Sequence, residues 1–184
     1  MPPKARFSQE QIVEEAYQLV REQGFDALSA RALAARLGTS TAPLFTAFQN
    51  IEEISLQVTK QAIALYDRYM QEGLEYEIPF KGAGLKYIEF AKDEPELFKL
   101  LFMRESTTSQ PSHYLPAGFP YETKIVQMVS DSYGIEQKQV KHIYNHLSVY
   151  THGLAVLFAQ GQCVFTMEDV SNMLSEIYHA LRKE

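Results

Sequence analysis

Residues 28–50 read LSARALAARLGTSTAPLFTAFQN, and this stretch decides the fold. Its first part has the leucine and alanine spacing of a short helix, which Ser29 can cap and Gly38 ends. Pro43 then falls in the first turn of a second short helix, where the missing N–H of proline costs little. Two short helices that meet at a tight glycine turn are typical of a helix-turn-helix.

The second short helix has an apolar side and an uncharged polar side. Leu44 and Phe48 supply its apolar anchors, and the other side offers Thr39, Ser40, Thr41, Ala42, Thr46 and Gln49. Side chains of these types can bond to phosphate oxygens or base edges, or touch a thymine methyl group. A short helix also fits the major groove, so this side predicts contact with DNA. For the neighbouring Phe45, burial in the core and exposure towards DNA both remain open.

Helical patterns continue on both sides of this stretch. Ser8 and Gln11 form a capping box at the start of the chain's first helix, and Gly24 ends that helix. Asn50 can cap a helix that reaches about Gly73, and proline-started or glycine-ended apolar stripes follow to the end of the chain. No stretch has a convincing strand pattern. The sequence therefore predicts an all-α protein with about nine helices.

Composition fits a globular protein of one or two domains. The chain has 184 residues, of which 46% are hydrophobic and 22% are charged, and its net charge is −6. Residues 1–60 hold six basic and seven acidic residues, whereas residues 61–184 hold eleven basic and sixteen acidic residues. Most of the negative charge thus lies in the second part. The balance argues against a general nucleic-acid coat but leaves room for a locally basic face in the first part.

The compartment follows from three simple observations. Cys163 is the only cysteine, so no internal disulfide can form. The N-terminus lacks the apolar run of a signal peptide, and no stretch reaches the roughly 18 apolar residues of a membrane span. We therefore expect a cytoplasmic protein without a membrane partner.

The segment LSARALAARLGTSTAPLFTAFQNIEEI resembles the DNA-binding domain of the TetR/AcrR family of transcriptional repressors, and the resemblance covers about residues 8–60. The helix lengths, the turn glycine and a Leu-aromatic-x-x-Phe run carry it. More loosely, YIEFAKDEPELFKLLFM and YTHGLAVLFAQG resemble ligand-binding domains of one branch of that family. The resemblance implies an N-terminal three-helix DNA-binding domain and a C-terminal antiparallel helical bundle. It also implies a homodimer on a palindromic, double-stranded DNA operator and a small-molecule effector that releases the DNA.

Carried over by position, the resemblance also names DNA-binding residues. Arg31 matches a phosphate- or base-contacting position, Phe45 stands where the family usually has a phosphate-binding tyrosine, and Gln49 stands where a lysine is common. Since phenylalanine cannot hydrogen-bond and glutamine brings no charge, we expect weak phosphate clamping, with help from Lys4, Arg6 and Arg36. The predicted DNA-binding residues are Arg6, Arg31, Thr39, Ser40, Thr41, Phe45, Thr46 and Gln49.

The predicted domains are residues 1–50, with the helix-turn-helix at about 29–48, a connecting helix at 51–73, and a ligand-binding and dimerisation domain at 74–184. Aromatic and methionine residues in the second part either line an apolar cavity or form ordinary core. The predicted ligand-binding residues are Tyr66, Phe90, Phe102, Met128, Tyr150 and His152. The last two helices carry wide apolar faces, which predict a dimeric four-helix bundle through Leu147, Leu154, Phe158, Leu174 and Ile177.

Rival functions find less support in the sequence. There is no nucleophile elbow, no phosphate-cradling glycine loop and no metal-ligand cluster, so we expect no enzyme, no cofactor and no metal. His142 and His146 have metal-ligand spacing, but without an accompanying Cys or carboxylate cluster a surface or dimer-interface pair is the favoured interpretation. His152 suits either a polar-lined pocket or a buried, hydrogen-bonded site. For Cys163, a lone structural or exposed thiol is favoured over a redox sensor. The alternative function is a helical small-molecule-binding protein of TetR-like fold with weak or lost DNA binding.

Overall fold

The computed structural model describes residues 7–104 and 121–182, and nine α-helices run through these two ranges. In chain order they are α1 (Gln9–Gln23), α2 (Ala30–Arg36), α3 (Ala42–Ala47), α4 (Ile51–Leu74), α5 (Pro79–Asp93), α6 (Pro95–Phe102), α7 (Glu122–Tyr133), α8 (Gln137–Ala159) and α9 (Met167–Arg182). A single 3₁₀ turn, Phe25–Ala27, follows α1. No residue of the described ranges lies in a β-strand, and the predicted all-α fold is confirmed.

Local sequence signals place the helix ends as expected. The Ser8 hydroxyl accepts from the Gln11 N–H at 3.2 Å, and the Gln11 side chain accepts from the Ser8 N–H at 2.9 Å. This reciprocal pair is the predicted capping box. Gly24 ends α1 with a φ of 84°, a backbone conformation that glycine adopts without a Cβ clash.

The first compact unit contains the described residues up to Leu65 together with Glu96–Arg104. Its core includes the fully buried side chains of Ile12, Val20, Leu33, Leu44 and Ile54. The end of the α6 segment belongs to this unit as well, since the Arg104 guanidinium lies 3.8 Å from the centre of the Phe25 ring.

The second compact unit contains Tyr66–Pro95 and the described residues from Tyr121 onward. It holds the end of α4 together with α5, α7, α8 and α9 around fully buried side chains such as Phe90, Ile88 and Val170. The boundaries of the two units differ from the domain boundaries predicted after residues 50 and 73. The reason is that α4 contributes residues to both units, and α6 joins the first one.

Two glycines let α4 and α5 cross at backbone contact within the second unit. A Cβ on Gly73 would lie 2.7 Å from the carbonyl oxygen of Gly82 and 2.9 Å from the Cα of Ala83. A Cβ on Gly82 would likewise clash with the Gly73 carbonyl oxygen. Glycine at both positions is therefore a requirement of this helix crossing.

None of the described helices is long and apolar enough to cross a membrane.

Candidate nucleic-acid interface and ligand cavity

The turn between α2 and α3 is built by local hydrogen bonds. The Ser29 hydroxyl caps α2 by accepting from the Ala32 N–H at 3.2 Å. Gly38 takes a φ of 63°, and the next residue, Thr39, donates its N–H to the Ala34 carbonyl at 2.9 Å. This left-handed glycine reverses the chain and sets the start of α3. The helix-turn-helix predicted at about residues 29–48 is thus present.

The inner side of α3 is fixed to the first unit. Leu44 is fully buried, Phe48 is 6% exposed, and the Gln9 side-chain amide donates to the Ala47 carbonyl at 2.5 Å. The predicted core position of Phe48 therefore holds. Because the middle and the C-terminal end of the helix are held, its outer side has a defined position on the unit.

The outer side of α3 carries short, uncharged side chains. Ser40, Ala42, Thr46 and Gln49 are exposed, whereas Thr39 and Thr41 are half-buried. Phe45 is 46% exposed, so the structure favours the outward position of its ring over the core position. The Thr46 hydroxyl donates to the Ala42 carbonyl at 3.1 Å, which commits its hydrogen to the backbone.

Two arginines lie on α2 near this face, and one of them, Arg36, differs from the expectation because it is already paired. Arg31 is exposed and makes no ion pair with any residue in the described ranges. Arg36 pairs with Glu15 at 2.8 Å and with Glu22 at 2.7 Å, and the hydrogen bonds to these carboxylates raise the pKa of its guanidinium. We therefore no longer expect Arg36 to clamp a phosphate, because two carboxylates neutralise its charge and accept three of its five N–H groups. Lys4 and Arg6 lie outside the described residues.

Comparison with known proteins identifies this face. Residues 12–58, which contain α2, α3 and the turn between them, match the family model described as "Bacterial regulatory proteins, tetR family". Residues 12–58 thus form a TetR-family DNA-binding domain. The first unit of the chain accordingly carries the helix-turn-helix with which TetR-family regulators bind DNA. Neither a curated protein nor a solved structure matches the chain.

The second unit contains a partly open cavity of about 140 Å³. Its wall is formed by residues from the end of α4 and from the helices α5, α7, α8 and α9. Most of these residues are aliphatic or aromatic. The lining residues are Met70, Ile78, Phe80, Lys81, Ala83, Gly84, Tyr87, Ile125, Val129, Tyr133, Tyr144, Leu147, Ser148, Thr151, Leu174, Ser175, Tyr178 and His179.

The six residues predicted to bind ligand lie outside this lining. Tyr66 and Phe90 are buried core residues whose rings meet edge to face at 5.6 Å, and Phe102 belongs to the first unit. Met128 and Tyr150 are half-buried. Apolar spacing marks the buried side of α5 and α8, but it does not say which buried positions border an empty space.

His152 lies one contact behind the cavity wall. Its Nδ1 is 2.9 Å from the hydroxyl oxygen of Tyr87, which does line the cavity. Burial lowers the pKa of His152, so the imidazole is neutral at neutral pH. This position matches the hydrogen-bonded alternative for His152.

The helix sides that do face the cavity mix apolar and polar residues at helical spacing, as Tyr144, Ser148 and Thr151 do on α8.

The residues predicted for the dimer interface point mainly into the protomer. Leu147, Leu154 and Leu174 are buried within the single chain, and Phe158 and Ile177 are half-buried. Leu147 and Leu174 also line the cavity. The three buried leucines are therefore unavailable to a partner. The apolar side chains that α8 leaves exposed are Val149, at 76%, and Leu157, at 37%.

His142 and His146 are both exposed on α8, with ring centres 4.5 Å apart. Within residues 7–104 and 121–182, no group of three or more potential metal-binding side chains comes together. Cys163 is a half-buried free thiol.

Proposed function

We propose that this protein is a TetR-family repressor whose homodimer binds a palindromic operator and is released by a small molecule. The observation that carries the proposal is the exposed, uncharged outer side of α3, held in place by the buried Leu44 and Phe48. A helix in this position fits the major groove and presents its first residues to the base edges.

The chemistry of α3 favours A·T-rich half-sites. The helix contains neither arginine for guanine nor asparagine for adenine. Since the Thr46 hydroxyl gives its hydrogen to Ala42, it retains an acceptor and a methyl group for contact with DNA. The exposed methyl group of Ala42 adds to that surface. Methyl groups in the major groove suit the thymine methyl, which only T·A and A·T pairs present.

Electrostatic attraction to the duplex is expected to be modest. On α2, Arg31 is exposed and makes no ion pair with a described residue, whereas Arg36 is neutralised by Glu15 and Glu22. Each phosphate that a cation neutralises adds about 0.9 to the salt dependence of binding. A small number of such contacts therefore implies a shallow salt dependence and a larger share of affinity from base contacts.

One face of α8 supports the homodimer. Val149, Gly153 and Leu157 follow one another at four-residue spacing, and all are exposed in the protomer. A Cβ on Gly153 would meet no atom within 4 Å, so a second helix has room to approach there. A two-fold axis would set this face against the same face of a second copy and bury both valines and both leucines.

Two stretches of chain connect the cavity to the DNA-binding unit and support ligand-driven release. The helix α4 carries Met70 of the cavity wall and begins at Ile51 in the first unit. The helix α5 carries Phe80 and Tyr87 of the wall and leads directly into α6, which belongs to the first unit. Release requires that the effector bind the DNA-free arrangement more tightly than the DNA-bound one.

The proposal is tested by recovering and sequencing the genomic fragments that the purified protein retains from its own genome. We expect enriched fragments that share an inverted repeat, with A·T-rich half-sites about one helical turn apart. Ser40→Glu places a negative charge on the α3 face and is expected to abolish the enrichment. Ser132→Glu makes the same change at an exposed position of α7 and is the matched control.

Failure of the wild-type protein to enrich any fragment would contradict operator binding. It would instead favour the alternative of a helical small-molecule-binding protein that has lost DNA recognition. The observation behind that alternative is the lack of charge on α3 together with the occupied donors of Arg36.

A further inference from the structure

The cavity of the second unit has the size of a single ring. Its volume is about 140 Å³, and rings of Phe80, Tyr87 and Tyr144 contribute to the wall. A dry cavity of about 150 Å³ with an apolar lining is known to hold benzene. The shape and chemistry of the wall thus favour an apolar body about as large as one six-membered ring.

The wall of the cavity carries a positive charge without a described counter-charge. Lys81 lines the cavity, and among the described residues no aspartate or glutamate lines the cavity or pairs with Lys81. Lys86, on the same helix, shows the contrast, since its ammonium is held by Glu72 at 2.9 Å and by Glu89 at 2.8 Å. Lys81 is half-buried beside an apolar wall, where a cation without a counter-charge is costly to desolvate further.

The remaining polar groups of the wall carry no negative charge. Ser148, Thr151 and Ser175 offer hydroxyl groups. Burial raises the pKa of the Tyr87 and Tyr144 hydroxyls, so neither adds a negative charge to the wall. Pro79 starts α5 without a side-chain cap, and the positive end of this helix adds to the field around Lys81.

On the premise that this cavity is the effector site proposed above, we propose that the effector is a small organic carboxylate. Its ring-sized apolar body fills the cavity, and its carboxylate pairs with the Lys81 ammonium. A neutral ring of the same size gains the apolar contacts but leaves Lys81 without a counter-charge. An organic cation brings a second positive charge to a site where no described residue supplies an acid to balance it.

Calorimetric titration of the full-length protein with benzoate, benzamide and benzylamine tests this proposal, since the three probes share a ring and differ in charge. We expect benzoate to bind about tenfold or more tightly than benzamide, as a charge-assisted hydrogen bond implies, and benzylamine to bind most weakly. Lys81→Gln should reduce benzoate affinity to that of benzamide. Lys92→Gln, at an exposed position of the same helix, should leave the preference intact. Circular dichroism checks that each variant is folded.

Equal affinity for benzoate and benzamide, or a benzoate preference that survives Lys81→Gln, would overturn the proposal. So would the failure of all three probes to bind. Gly84→Val places atoms towards Leu174 and Thr151 in the cavity wall. This variant tests whether the cavity is a ligand site, separately from whether the ligand is an acid. If all probes bind the wild type equally and this variant binds none, the cavity remains a ligand site and only the acid class falls. The sequencing of retained genomic fragments judges DNA binding independently.

Discussion

Arg31 and Arg36 lie on the same short helix, α2, but they differ in their ion pairs within the described chain. Arg31 is exposed without an ion pair in the described chain, whereas Arg36 is held by Glu15 and Glu22. We expect Arg31→Gln to make the log–log salt dependence of operator binding shallower by about 2 for a dimer, since two phosphate contacts are lost. Arg36→Gln, its matched control, should leave that slope unchanged. Filter binding or fluorescence anisotropy across a salt series measures both slopes.

The same variants separate two roles for Arg31. Uniform weakening of Arg31→Gln on every half-site variant indicates a backbone contact, and relaxed discrimination at a single base pair indicates readout of that base. If Arg36→Gln reduces the salt dependence of operator binding more than Arg31→Gln does, the assignment of the phosphate contact to Arg31 is wrong. From sequence alone the two arginines look alike, because Glu15 and Glu22 lie on another helix and their distance from α2 is a property of the folded unit.

At the scale of the element, the crossing of α4 and α5 depends on two glycines. A Cβ on Gly73 would meet the backbone of Gly82 and Ala83 at 2.7 to 2.9 Å, where no flexible side chain can move away. Gly73→Ala should therefore lower the free energy of unfolding by about 1–3 kcal/mol, as overpacking does. The substitution normally stabilises a helix interior by about 0.5–1 kcal/mol, so the expected change has the opposite sign to helix propensity. Chemical denaturation measures the difference, and a more stable variant would show that the crossing is looser than described.

The helices themselves follow closely from local sequence. The capping box of α1, the left-handed Gly38 and the proline in the first turn of α3 are all where their residue types predict them. Tertiary surroundings could not be inferred in the same way. The apolar stripe of α8 correctly predicts a buried side with Leu147 and Leu154, but the prediction that these residues face a partner protomer is wrong, because the single chain already buries them. Periodicity distinguishes buried from exposed positions, but it does not distinguish core, cavity wall and subunit interface.

At the scale of the whole molecule, dimerisation through the exposed face of α8 has a direct test. Val149→Glu combined with Leu157→Glu should give a monomer by light scattering, because two like charges would face each other across the two-fold axis. Leu56→Glu, at an apolar side chain of α4 that is 54% exposed, is the control and should remain dimeric. The monomeric variant should also bind the operator more weakly, since it engages one half-site at a time. A double variant that stays dimeric would move the interface away from this face.

We propose that the uncharged helix α3 reads DNA through thymine methyl groups. Replacing each thymine of the recovered operator by uracil, one position at a time, removes a single methyl group and leaves base pairing unchanged. The side chains of Ala42 and Thr46 then lose an apolar contact while every phosphate contact is retained. We expect the protein to bind the substituted operator with reduced affinity at one or more symmetrically related positions in both half-sites. Unchanged affinity at every position would contradict it.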